Sequence, residues 1–232
     1  MSHIHLPDGA LPGNIVLYGL LGACALLVVA TRQIRRHNLA EYMPRMAFIS
    51  ALLLVVMSMP LGLLPVHANL SVLAGMMLGP WLAIFSAFIV NLFLAFIGHG
   101  TTAMVGLNTL VLSFEMIAGY LLVRLLTGLV SRQWAAAIAV VLTLAVTGTT
   151  VFWGLSGLGV DIEAVVQHEH SGEQASEGEV PDTSHSWWAL PAIIVAFIAP
   201  SVVLETILTF LIIGLLVRVR PRLVETPMQG RS

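Results

Sequence analysis

The chain has 232 residues, 58% of them hydrophobic and 9% charged, with mean hydropathy +0.94 and net charge −2. A soluble domain carries roughly 25% charged residues, so this composition excludes a water-covered surface and implies a largely lipid surround. The near-neutral charge gives no electrostatic basis for binding nucleic acid, and the absence of lysine excludes a Schiff-base lysine and a P-loop.

A helix needs about 20 apolar residues to cross the hydrocarbon core. The first such run covers residues 11–30 and closes at Arg32, Arg35 and Arg36. No basic region precedes it, so it reads as a retained anchor and not a cleavable signal. Cys24 inside it is the one cysteine and reads as a small lipid-buried residue, which leaves no disulfide framework and no thiolate cluster. The second run, 46–64, ends at Pro65. A short piece at 70–78 follows His67 and stops at Gly79-Pro80; at that length it crosses only if neighbouring protein covers its ends. Runs at 81–97, 103–123, 134–158 and 187–217 complete the set, predicting an all-α membrane protein of about seven transmembrane helices.

All ten basic residues are arginine, and they fall on alternate connections: Arg32, Arg35, Arg36 and Arg45, then Arg124 and Arg132, then Arg218, Arg220, Arg222 and Arg231. The positive-inside rule places these in the cytoplasm, so the N-terminus is expected outside and the C-terminus inside. The expected organisation is one integral membrane domain over 1–232: an N-terminal arm (1–10), six spans (11–158), an acidic outer loop (159–186), a last span (187–217) and a cytoplasmic tail (218–232). Trp187 and Trp188 fall where an outer-interface aromatic belt is expected.

Seven of the eight histidines (His3, His5, His67, His99, His168, His170 and His185) then belong to outer segments, and only His37 is cytoplasmic. Imidazole is the commonest protein ligand for late first-row divalent metals. The loop histidines His168, His170 and His185 read first as polar surface residues in an acidic tract. The N-terminus is different. Once Met1 is removed, the Ser2 amine, the His3 amide nitrogen and the His3 imidazole can form fused chelate rings, a near-planar nitrogen set suited to Ni²⁺ or Cu²⁺. Pro7-Asp8-Gly9 is a turn signature that would fold this arm back. His67 follows a proline-terminated span and precedes one too short for lipid exposure, an arrangement that points to irregular backbone buried within protein. Glu115 and Glu205 lie inside spans, where a charge costs several kcal/mol, and are expected to face the bundle protonated or paired. Asn91 and Asn108 are expected to hydrogen-bond between helices.

The stretch HLPDGALP near the start resembles the N-terminal motif of the CbiM/NikM family, the substrate-specific membrane subunits of energy-coupling-factor transporters for cobalt and nickel. The resemblance continues through His67-Ala68-Asn69-Leu70, Leu78-Gly79-Pro80-Trp81, and Gly98-His99-Gly100-Thr101-Thr102 with Gly106-Leu107-Asn108. A weaker echo is Glu205-Thr206-Ile207-Leu208-Thr209 before the basic tail. The resemblance implies an all-nitrogen, near-planar metal site built from the terminal amine, the amide and imidazole of the adjacent histidine, and a histidine carried over as His67. Anchoring on Pro7-Asp8-Gly9 gives His5 the N-terminal role; anchoring on a free Ser2 amine gives it to His3, and both registers stand open. His99 is a further candidate, and Asp8 either hydrogen-bonds an imidazole N–H or caps the turn.

The resemblance further implies a transported ion, Ni²⁺ or Co²⁺, with no resident cofactor, in a cytoplasmic (inner) membrane protein. Its partners would be a coupling transmembrane subunit, ATP-binding subunits and a small accessory membrane subunit. The chain itself has no nucleotide-binding signature and no nucleophile with an evident base partner, so an enzyme is not expected. The competing readings are a vitamin-binding subunit of the same transporter class and a non-transport membrane assembly factor.

Overall fold

Lipid offers no hydrogen-bond partner to a peptide group, so each apolar run must close its backbone bonds within itself, and a helix does this. The computed structural model describes residues 12–34, 39–58, 69–98, 100–157 and 189–219, and every regular element among them is helical. In chain order these are α1 (Gly13–Ile34), α2 (Leu39–Ser58), α3 (Ser71–Ile97), a 3-10 turn (Thr102–Met104), α4 (Val105–Leu126), α5 (Arg132–Gly157) and α6 (Ala189–Val219). Five segments, Gly13–Ile34, Ser71–Ile97, Thr102–Leu126, Arg132–Val151 and Ala199–Val219, are long and apolar enough to cross a membrane; Tyr42–Ser58 is a shorter apolar helix. The acidic segment 159–186, and with it Trp187 and Trp188, lies outside the described residues.

The two runs predicted at 70–78 and 81–97 join into the single element α3. The predicted stop at Gly79-Pro80 survives as a sharp kink, with Gly79 at φ 73°, ψ 173°. That left-handed region favours glycine, and proline after it removes a helical donor. Every residue from Ser71 to Gly79 is buried, which meets the condition set by the length of this piece: protein covers it.

Close approach at small residues fixes the helix directions. A Cβ on Gly19 would meet Leu107, one on Gly22 would meet Leu110, and one on Gly106 would meet the Leu20 backbone, so α1 and α4 run parallel in contact. A Cβ on Gly75 would strike the Met116 carbonyl oxygen, and one on Gly119 would strike Val72, so the first half of α3 runs antiparallel to α4. Where helices lack a hydrophobic drive to associate, such backbone-to-backbone approach supplies the dispersion contact. α2 joins α3 through the Ser50 and Ser86 hydroxyls, 2.9 Å apart. Gln133 lies over Gly214, and the Trp134 and Phe210 rings meet edge-on at 5.2 Å, so the start of α5 sits beside the last third of α6.

Parallel α1 and α4 carry Arg32 and Arg124 at the same end. Residues 127–131 turn directly into Arg132, and Arg218 follows the Gly214 contact. These four arginines therefore share one end of the bundle, as their alternation along the chain predicts. The opposite requirement, an apolar outer surface, is met by side chains such as Leu21, Phe48, Phe96, Leu125 and Leu211. Cys24 also faces outward, as a lipid-side residue should.

The Gly75–Met116 contact leaves no room for a methyl group. Gly75→Ala is expected to destabilise the detergent-solubilised protein by about 1–3 kcal/mol, read as a lower thermal midpoint. Gly154→Ala, where a Cβ meets nothing within 4 Å, is expected to leave the midpoint unchanged.

Candidate functional site

The first intrahelical bond of α3 runs from the Ala74 N–H to the Leu70 carbonyl at 3.0 Å. The amides ahead of it have no helical acceptor, as at any helix start. Here no side chain caps them locally: the N-cap is Leu70, held in the left-handed region at φ 50°, ψ 26°, and it is the one non-glycine residue with positive φ among the described residues. Nor is water at hand, since Asn69, Leu70 and Ser71 are all buried.

Asn69, just ahead of this start, is bonded to acids on other helices. Glu205, midway along α6, receives the Asn69 backbone N–H at Oε2, 3.4 Å away. The Ser71 amide and hydroxyl lie near the same carboxylate, with neither completing a hydrogen bond to it among the described residues. Glu115, midway along α4, receives the Asn69 side-chain Nδ2–H at Oε2, 2.6 Å away. Both carboxyl groups are fully enclosed, at 0% and 1% exposure. One residue, Asn69, thus ties together three helices through two acidic side chains. The positive end of the α3 dipole adds to the attraction for these oxygens.

Further buried hydroxyls lie on two of these helices, Thr109 and Ser113 on α4 and Ser201 and Thr209 on α6, and on α5, at Thr143 and Thr147. By contrast, the part-buried Thr206 returns its hydroxyl to the Val202 carbonyl of its own helix. Asn91 does the same, donating to the Ala87 carbonyl at 2.9 Å. Its amide is met within α3, and among the described residues it forms no interhelical bond of the kind expected of it. Asn108 is buried.

The predicted ligand positions Ser2, His3, His5, His67 and His99, with Asp8 beside them, lie outside the described residues. Among the described residues no group of three or more His, Cys, Asp or Glu side chains could hold a metal ion. What the structure does place is the chain two residues beyond His67. The backbone at Asn69–Leu70 is irregular and buried, the environment expected for this stretch. Asn69 and Ser71 went unremarked as working residues in the sequence. Glu115 and Glu205 stood out there, as acids inside apolar runs, but what they hold did not.

The Asn69–Glu115 bond is open to a double-mutant cycle. Hydrogen bonds to charged or buried acceptors contribute about 1–3 kcal/mol, so Asn69→Ala should lower thermal stability by that amount. Combined with Glu115→Gln it should show a coupling of at least about 0.5 kcal/mol; strict additivity would deny the contact.

Residues 5–223 match the CbiM family, described as the cobalt uptake substrate-specific transmembrane region. A relative from Haemophilus influenzae, named a putative metal transport protein, is 32% identical over 125 residues, covering 52% of this chain and 58% of that protein. Two solved structures share the fold. One, titled a transition metal transporter, superposes with a TM-score of 0.68 over 93% of each chain at 21% identity. The other, titled a truncated transition metal transporter, gives 0.69 over 92% of this chain and 98% of its own at 20% identity.

Proposed function

This chain belongs to the CbiM family, the cobalt uptake substrate-specific transmembrane region, and from that premise we propose that it is the substrate-binding subunit of an energy-coupling-factor importer for Ni²⁺ or Co²⁺. It is a multi-pass membrane component of metal transport; the finer assignment is our reading. The observation that carries it is the buried, irregular backbone at Asn69–Leu70. Asn69 and Leu70 are buried and stand two and three residues beyond His67 in the sequence.

In this reading the N-terminus lies outside, an orientation supported by the four arginines gathered at one end. The N-terminal arm supplies the terminal amine together with the amide and imidazole nitrogens of His3 or His5, and His67 completes a near-planar set. Asp8 orients the arm and His99 lies near the entry. A nitrogen set of this kind ranks Ni²⁺ above Co²⁺ in affinity and offers no sulfur ligand. Transport is powered by separate ATP-binding subunits through a coupling membrane subunit, with a small accessory subunit beside it. The ion is cargo, and the chain performs no chemistry on it.

Metal loading of the purified full-length chain tests this. Wild type should bind Ni²⁺ or Co²⁺ near one per chain, His67→Ala should lose it, and His3→Ala should weaken it. Equal metal in wild type and His67→Ala would refute the ligand assignment. An extended or blocked N-terminus should lower affinity if the terminal amine is a ligand.

A pH series gives an independent check. The imidazoles bind metal only when neutral, so protons compete as pH falls through the histidine reference value of about 6.5. Affinity should hold above that value and decline below about pH 6. A flat profile from pH 5 to 8 would speak against imidazole ligation.

A further inference from the structure

A buried helix start can be satisfied by a serine, threonine, aspartate or asparagine at the N-cap itself. Here that position is Leu70, in a left-handed conformation and with no side-chain bond. The residue ahead of it is held instead by acids from the middle of α4 and α6: Glu205 accepts the Asn69 backbone N–H at 3.4 Å, and Glu115 accepts the Asn69 side-chain N–H at 2.6 Å. An acid at the centre of a membrane span costs several kcal/mol, so this is an unfavourable way merely to end a helix. Its effect is positional: a capping side chain at residue 70 would move with α3, whereas Glu115 and Glu205 tie the chain to α4 and α6. The backbone at 69–70 cannot shift without breaking contact with two other helices.

Glu205 lies against both Asn69 and Ser71. Its Oε2 meets the Asn69 amide, the Ser71 amide and hydroxyl face it, and its Oε1 is buried without a hydrogen bond from the described residues. The contact joins residues 136 apart in sequence. Across that separation, local helix chemistry contributes nothing to the alignment.

We infer that Glu205, acting with Glu115 through Asn69, is a positioning residue that fixes where the chain enters α3 and so sets the placement of the adjacent metal ligand. This rests on the reading of His67 as that ligand. Supporting groups of this kind change metal affinity by roughly 10–100-fold when removed, without touching the ion.

The test uses the full-length chain in detergent, titrated with Ni²⁺ alone, with the nickel d–d absorption band and the thermal midpoint recorded for each variant. Glu205→Leu, which removes both acceptors, should lose about 10–100-fold in Ni²⁺ affinity and shift the band, because the ligand is no longer held in one geometry. Glu205→Gln keeps a carbonyl oxygen for the Asn69 amide and should recover most of the affinity and the wild-type band. Should Glu205→Leu fail to fold, Asn69→Ala removes the Glu115 tether while keeping the backbone amide for Glu205, and should weaken Ni²⁺ binding in the same direction. A folded Glu205→Leu or Asn69→Ala with wild-type affinity and band, alongside a His67→Ala that loses metal, would overturn the positioning role and leave the metal-binding reading intact. Full metal binding by His67→Ala would remove the premise and the inference together.

Discussion

Helix α3 begins inside the bundle, level with the middle of α4, where the amides of its first turn have neither water nor a local cap. Membrane proteins tolerate such a start only where other protein supplies the acceptors. Here Glu205 accepts the Asn69 amide just ahead of that turn and Glu115 accepts the Asn69 side chain, and the rest of the arrangement follows. α4 and α6 must stand close enough to α3 for carboxylates to arrive from both sides of Asn69. The segment from Ser71 to Gly79 must be enclosed, because it runs from this node towards the arginine-free end without the length to face lipid.

The glycine contacts show how that enclosure is achieved. Gly75 rests on the Met116 carbonyl and Gly119 against Val72, which draws the backbones of α3 and α4 together around the node. Gly19, Gly22 and Gly106 do the same for α1 against α4. A bundle built this way is held by shape and by a few buried polar contacts. The polar cluster around Asn69 therefore stands out among the described residues as a point where stability gives way to position. The family match over residues 5–223 puts that cluster in a chain of a metal-uptake family, two residues along the sequence from the histidine proposed as a ligand.

Much of this was legible in the sequence because each signal was local. Apolar runs near 20 residues long can only be spans, and Gly79-Pro80 marks a break in any helical context. The arginines mark one end by their alternation, and the parallel contact of α1 with α4 brings Arg32 and Arg124 to it. Glu115 and Glu205 announced buried partners simply by lying within apolar runs. What they hold was hidden, since a contact between residues 69 and 205 leaves no trace in local pattern. Asn91 shows the converse: a buried amide reads as an interhelical bonder, yet the Ala87 carbonyl one turn back is nearer. The joining of 70–78 with 81–97 into α3 was equally out of reach. Glycine and proline signal a break, but only packing decides whether the helix resumes beyond it.

The central claim is that a nitrogen set, completed by His67 and steadied from Asn69 onward, binds the cargo ion within the bundle. X-ray absorption at the nickel edge of the Ni²⁺-loaded full-length chain tests it most directly. The account predicts a four-coordinate, near-planar first shell of nitrogen with imidazole scattering beyond it, and loss of part of that scattering in His67→Ala. A six-coordinate oxygen shell without imidazole scattering, unchanged by the substitution, would contradict it.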